Sequence, residues 1–335
     1  MCKVSMMAGG FVTTLVVFWL GAPSAFGQAS DGQWVVPRTP DGHPDLQGVW
    51  ANNNITPLER PEVWADKAEL SDEELAALRV AATNAVGDGD ALFGDQLVLA
   101  AIQGIEATSY DPTTGNYNQF WIADRDFTNQ TSLVIDPPTG RIPDVLPDAR
   151  ERLREAGQYG RDHPADSYTD RPLPERCVTY GVPRLGAGYN SYYQIFQSAD
   201  YVVIMYEMIH DARIIPLGDQ QRLDDGVRLL HGDSRGYWDG DTLVVETTNF
   251  SSSASFRGSS DGLHMVERFS RVTADTLEWE VTISDPTVWS APWTVRIPLA
   301  HSPEPMFEYA CHEGNIGMEG ILAGHRYEER ISADR

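Results

Sequence analysis

Three stretches of the 335-residue chain gather side chains able to move protons or hold a substrate. In "LHGDSRGYWDGD" (230–241), His231 and Asp233 are two apart, so an extended backbone turns both to one side. A carboxylate so placed orients an imidazole as a general base, and the same pair can bind a metal. Arg235 in that stretch is a candidate substrate-binding residue. The structural alternative has Asp233 and Ser234 satisfying backbone groups and Arg235 paired with a carboxylate. In "LHMVERFSRV" (263–272), alternation sets Leu263, Met265, Glu267 and Phe269 on one face and His264, Val266, Arg268 and Ser270 on the other. One carboxylate therefore sits in an apolar wall, at a cost of several kcal/mol unless it is paired or protonated. Glu267 and His264 join the catalytic candidates, with a Glu267–Arg salt bridge to a neighbouring strand as the structural alternative.

The third stretch is "YACHEGN" (309–315). Alternation from Phe307 gives an expected last strand, 307–311, with Phe307, Tyr309 and Cys311 facing the core. His312 and Glu313 then fall at the strand end, where a barrel mouth would lie, as catalytic candidates. Asn315 and Tyr309 are expected to hold substrate, as is Trp293, although such aromatics more often pack. A metal site needs three or four ligands at about 2 Å. His231, Asp233, His264, His312 and Glu313 have no spacing that demands such convergence, and none is expected. There is no phosphate-cradling glycine loop, GxSxG elbow, HExxH or paired CxxC, so no cofactor is expected either.

The elements that must position these groups are mostly strands. After Cys177, strand candidates arrive at close spacing: 192–197, 201–207, 212–217, 235–238, 242–247, 263–272, 276–284, 293–299 and 307–311. Asp239-Gly240 suits a type I′ hairpin turn. In 276–284, Leu277, Trp279, Val281 and Ile283 share one face while Glu278, Glu280 and Thr282 share the other, as in a half-buried antiparallel strand. Eight or nine such strands imply a mainly β fold, an antiparallel up-and-down, lipocalin-like barrel or curved sheet with a few helices. A sandwich is the rival.

Ahead of that β domain (176–335), residues 28–175 read as an extended arm, helices and a hairpin. Val49–Trp50 would pin the arm to the body. Ser71 and Glu74 form a capping box for a helix ending at 86–90. Residues 115–127 suggest a strand, 131–145 a hairpin around Pro137-Pro138-Thr139-Gly140, and Pro147 a helix to about Ala156.

Residues 1–27 read as a signal peptide: Lys3, the apolar run Phe11–Leu20, and small residues at Ala25 and Gly27. This implies an exported, periplasmic or secreted protein with no membrane span after cleavage. In that compartment the two remaining cysteines, Cys177 and Cys311, are expected to form a disulfide, the alternative being two separate buried thiols. A net charge of -24 disfavours nucleic-acid partners.

"PDLQGVW", "YNQFW", "TSLVIDPPTGRIP", "GDSRGYWDGDTLVVETTNF", "DPTVWSAPWTV" and "YACHEGN" occur in this order. As a set they resemble a large family of exported bacterial proteins, which implies an exported β-rich chain and no particular activity. The barrel half also resembles lipocalin-type barrels, some of which bind small hydrophobic molecules and some of which are isomerases or lyases. Together these readings point to an exported enzyme with a small, partly hydrophobic organic ligand in a barrel pocket. Its expected chemistry is cofactor-free proton transfer, as in a lyase, dehydratase or isomerase. The alternatives are a hydrolase in the same pocket and a ligand-binding protein without turnover.

Overall fold

The computed structural model describes residues 34–86, 95–104, 126–187, 190–254 and 256–334. The signal-peptide reading and nearly all of the expected strand at 115–127 lie outside these residues. The body runs from Val36 to Arg335 and is built on one antiparallel sheet of ten strands. In chain order these are β1 (Gly48–Ala51), β2 (Val134–Asp136), β3 (Tyr192–Gln197), β4 (Tyr201–Tyr206), β5 (Ala212–Pro216), β6 (Asp233–Asp239), β7 (Thr242–Thr248), β8 (His264–Arg271), β9 (Thr276–Ser284) and β10 (Trp293–Ser302). The spatial order is β5-β4-β3-β1-β10-β9-β8-β7-β6, with β2 added beside β10. The sheet thus draws strands from both sides of residue 175.

Alternation explains the core. Met265 and Glu267 of β8, Leu277, Trp279, Val281 and Ile283 of β9, and Trp293, Val295 and Ile297 of β10 are all at most 1 % exposed. Their neighbours along each strand are half-exposed, which is the period-2 pattern of a sheet with one covered face. The sheet curves until its edges meet but does not close. Among the described residues one isolated bridge, Leu217 to Gly236, joins the β5 end to β6. A Cβ on Gly236 would stand 2.8 Å from the Leu217 side chain, so the approach requires glycine there.

The interior is filled by side chains. At its centre Arg213 of β5 reaches across to Glu267 of β8, with Nη2–Oε2 2.6 Å and Nη1–Oε1 3.0 Å. Tyr206, Ser234 and Thr247 also accept from Arg213, and the Trp279 indole donates to Glu267. Burial alone would lower the Arg213 pKa, but the Glu267 carboxylate reverses this and holds the guanidinium charged. Burial pushes the phenols of Tyr193 and Tyr206, beside this pair, above the usual tyrosine range. The cluster ties β4–β9 together through the space where a ligand was expected.

Among the described residues four α-helices accompany the sheet: α1 (Asp72–Val86), α2 (Asp95–Gln103), α3 (Pro147–Asp162) and α4 (Ile316–Ala333). The α1 capping box is present, with Ser71 N–H donating to Glu74 Oε2 at 2.9 Å and Glu74 N–H to Ser71 Oγ at 3.3 Å. Leu78, Ala82 and Ala85 of α1 meet Ala100 and Ala101 of α2 in a small second core with Ile55, Leu70 and Phe127. No helix among the described residues is long and apolar enough to cross a membrane.

Several expectations change in detail. The Val49–Trp50 patch is a strand in the middle of the sheet, between β3 and β10. The β6–β7 turn is Gly240-Asp241, with φ +60 at Gly240 and no left-handed angle at Asp241, fitting type II′ rather than I′. After β2, residues 141–144 do not return as a paired strand, because β2 pairs with β10 instead. Residues 307–311 form no strand: they lie outside the sheet, and Phe307 is 72 % exposed. They lead instead to α4, capped by Asn315, whose Oδ1 accepts from Met318 N–H.

Candidate functional site

The structure scatters most of the residues singled out by type and spacing. His231 and Asp233 do not meet. The Asp233 carboxylate is held by Arg235 and by Leu223 N–H at 3.0 Å. Arg235 also donates to the carbonyls of Ser234 and Gln221, so its fork is occupied. His264 pairs with Glu246 at 2.9 Å on the outer face of β7–β8. Glu267 is the buried partner of Arg213. His312 and Glu313 are exposed in the turn before α4. Trp293 is fully buried among Trp289 and Phe256.

His231 has different partners. Its Nε2 lies 2.7 Å from Thr179 Oγ1, which lies 2.7 Å from Asp211 Oδ2 and accepts from Gly181 N–H at 2.8 Å. A hydroxyl has one proton, and the carboxylate takes it. Nε2 must then carry the imidazole proton, which leaves Nδ1 as the acceptor of the neutral ring. Tyr180 N–H also donates to Asp211 at 3.0 Å. Both Asp211 and Thr179 thus shape the 179–181 loop, and His231 braces it.

Tyr309, Asn315 and the two cysteines do converge. Cys177 and Cys311 form a disulfide, with Cα atoms 5.7 Å apart. Asn315 Nδ2 donates to Glu175 O at 2.9 Å and lies 3.2 Å from Cys177 Sγ. His210 Nδ1 is 3.2 Å from the Tyr309 carbonyl oxygen. These groups wall a cleft of about 870 Å³ outside the sheet, bordered also by Glu207, Asn190 and Ile321.

Glu207 is the group that residue spacing missed. It follows β4 directly, at the end of the apolar run "YVVIMYE", and its side chain faces the cleft border while only 5 % exposed. Among the described residues its Oε2 has no hydrogen-bond partner, and neither has the buried Oδ1 of Asn190. Burial raises the Glu207 carboxyl above the ordinary 4.5, partly offset by the Asn190 amide, the Tyr192 N–H and the Arg184 charge. The backbone here is strained. Of the six non-glycine residues with positive φ among those described, Cys177 and Asn190 border the cleft, and Ile209 (φ 60) and His210 (φ 46) follow Glu207. β-branched Ile209 in that region is a marked outlier.

The cleft therefore offers a carboxyl whose pKa burial raises, two side-chain amides and a partly apolar wall. Two other cavities, of about 990 and 620 Å³, lie along the Arg171–Val182 and Tyr180–Ala187 segments. No protein-family model and no curated protein matches the chain, so the functional reading rests on this geometry.

Proposed function

We propose that the protein is an exported acid–base enzyme acting on a small organic molecule in the cleft beside the Cys177–Cys311 disulfide. Glu207 carries the proton, and the unpartnered Asn190 Oδ1 accepts from a substrate hydroxyl. The chemistry is a lyase, dehydratase or isomerase step that needs no cofactor. The observation that supports this most is the buried Glu207 carboxyl, with one oxygen lacking a partner, at the border of an 870 Å³ cleft. A buried carboxyl whose pKa is raised by desolvation is the kind of group enzymes use to hold and release a proton. The strained turn after it fits a site whose geometry costs stability. The filled interior argues against the same chemistry inside the sheet. The disulfide fits an oxidising, exported setting.

Proton exchange gives a direct test. Wild type and Glu207→Gln are incubated in D₂O with a panel of small hydroxy- and keto-acids and enones, and deuterium uptake and product formation are followed by NMR. We expect the variant to fold normally and to be slower by about 10²–10⁴-fold on any compound the wild type turns over. Equal rates in a folded variant would remove Glu207 from the chemistry. A second reading, ligand binding without turnover, draws on the apolar wall of Phe307, Met318 and Ile321. It predicts saturable binding that Glu207→Gln leaves intact, with no exchange at all.

A further inference from the structure

Helix α4 is 18 residues long and has no buried residue. Its half-exposed positions are Met318, Leu322, His325 and Arg326, which with Glu329 one turn further mark the face turned to the body. The disulfide and Asn315 fix only its N-terminal end. At its middle His325 Nε2 faces two carboxylates at once: Asp166 Oδ1 at 3.1 Å and Glu329 Oε1 at 3.5 Å. These three ligand atoms lie within 4.8 Å of one another. One imidazole nitrogen thus stands between two carboxylate oxygens from different elements, the loop after α3 and α4 itself.

We propose that Asp166, His325 and Glu329 bind a divalent transition-metal ion, zinc or one of similar preference, which staples α4 to the loop after α3. The donor set is one imidazole and two carboxylates, a combination zinc takes with a water as fourth ligand. In a tetrahedral site with bonds of about 2.0–2.1 Å, ligand atoms stand roughly 3.3–3.4 Å apart. The two nitrogen–oxygen separations bracket that spacing. His325 and Glu329 are four apart on one helical face, so both reach the same point.

The third ligand is presented by a fixed loop. His163 Nδ1 holds the other Asp166 oxygen at 2.7 Å. Ser167 and Asp170 close a capping box just after it, and Arg171 donates to Pro164 O at 2.7 Å. A supporting partner on a ligating carboxylate is how proteins orient metal ligands. Arg326 is the competing cation, 2.9 Å from Glu329 Oε1 and 3.9 Å from Asp166 Oδ1. It also donates to the Ala165 carbonyl at 3.2 Å, which anchors its guanidinium to the loop backbone. With neutral histidines the cluster carries two carboxylate charges against one guanidinium, and a divalent ion more than balances the remainder.

The test uses the tag-free, disulfide-intact chain titrated with Zn²⁺ alone by calorimetry and against a colorimetric chelator. We expect one saturable site per chain. Asp166→Asn and His325→Ala should each weaken it by about 100-fold or more, and His163→Ala by about 10–100-fold. Zn²⁺ should also slow proteolytic cleavage within α4 in the wild type but not in Asp166→Asn. That nearly isosteric change guards against misfolding, checked by circular dichroism. Absence of saturable binding, or binding of equal strength in the folded Asp166 and His325 variants, would overturn the proposal.

Discussion

At the scale of single residues, the environment of a group matters more than its spacing in the chain. His231 and Asp233 are two apart, yet Arg235 takes the aspartate and Thr179 takes the histidine. Alternation along β8 marked Glu267 correctly as a carboxylate in an apolar wall. A salt bridge to an arginine was the expected alternative, but its partner Arg213 comes from β5 across the sheet and not from a strand beside β8, so alternation along β8 could not name it. Glu207 was not legible. One polar residue at the end of an apolar strand carries no signal, and its surroundings come from residues 175–192 and 307–321. Its raised carboxyl sets the sign of a stability test. A folded-state pKa above the ordinary 4.5 gives stability that is full below that value and is lost as pH rises through the folded one. The stability of wild type from chemical denaturation should therefore fall relative to Glu207→Gln as the pH rises above 4.5. The two should coincide near pH 4, and the variant should be the more stable at pH 7 to 8. A wild type that gains on the variant over this range would refute the assignment.

At the scale of elements, strands were easier to find than the C-terminal helix. β3 and β9 coincide with the stretches their alternation marked, β4, β5 and β7 differ by one residue at one end, and β8 by one residue at each end. Period-2 patterning survives because each strand has one covered face. α4 was hidden by Gly314, Gly317, Gly320 and Gly324, which weaken the helical signal, and by an alternation at 307–311 that no neighbouring strand completes. Its visible marks were Asn315 as an N-cap and the Met318–Leu322–His325 stripe. With no buried residue, α4 depends on tethers. The disulfide spans 134 residues, worth roughly 4–5 kcal/mol in the chain-entropy picture. Reduction by dithiothreitol should release residues 303–334 first. Limited proteolysis with mass spectrometry should show new cuts there, while the far-UV signal of the sheet persists. Unchanged cleavage after verified reduction would show that other contacts hold the segment.

At the scale of the whole molecule, a curved sheet that nearly closes on itself was the expected architecture, and its filled centre was not. A lipocalin-like reading assumes that the space enclosed by the strands is available to a ligand. Here Arg213, Glu267, Tyr206 and Trp279 occupy it and join strands whose ladder is interrupted between β5 and β6. The pair acts as a cross-brace. Arg213→Met leaves a buried carboxylate unpaired and should cost about 3–5 kcal/mol, while adding Glu267→Leu should recover much of that loss. Thermal melts of the two variants decide it, and a single variant as stable as wild type would count against the brace. The chemistry we propose is correspondingly placed in the cleft outside the sheet, bordered by the disulfide and the start of α4. The most direct measurement of that claim is a ¹³C NMR titration of the glutamate side-chain carboxyls, with Glu207→Gln to assign the signal. The account predicts that Glu207 titrates above 4.5 and that a ligand filling the cleft shifts its midpoint. A midpoint at or below that value, indifferent to ligand, would contradict it.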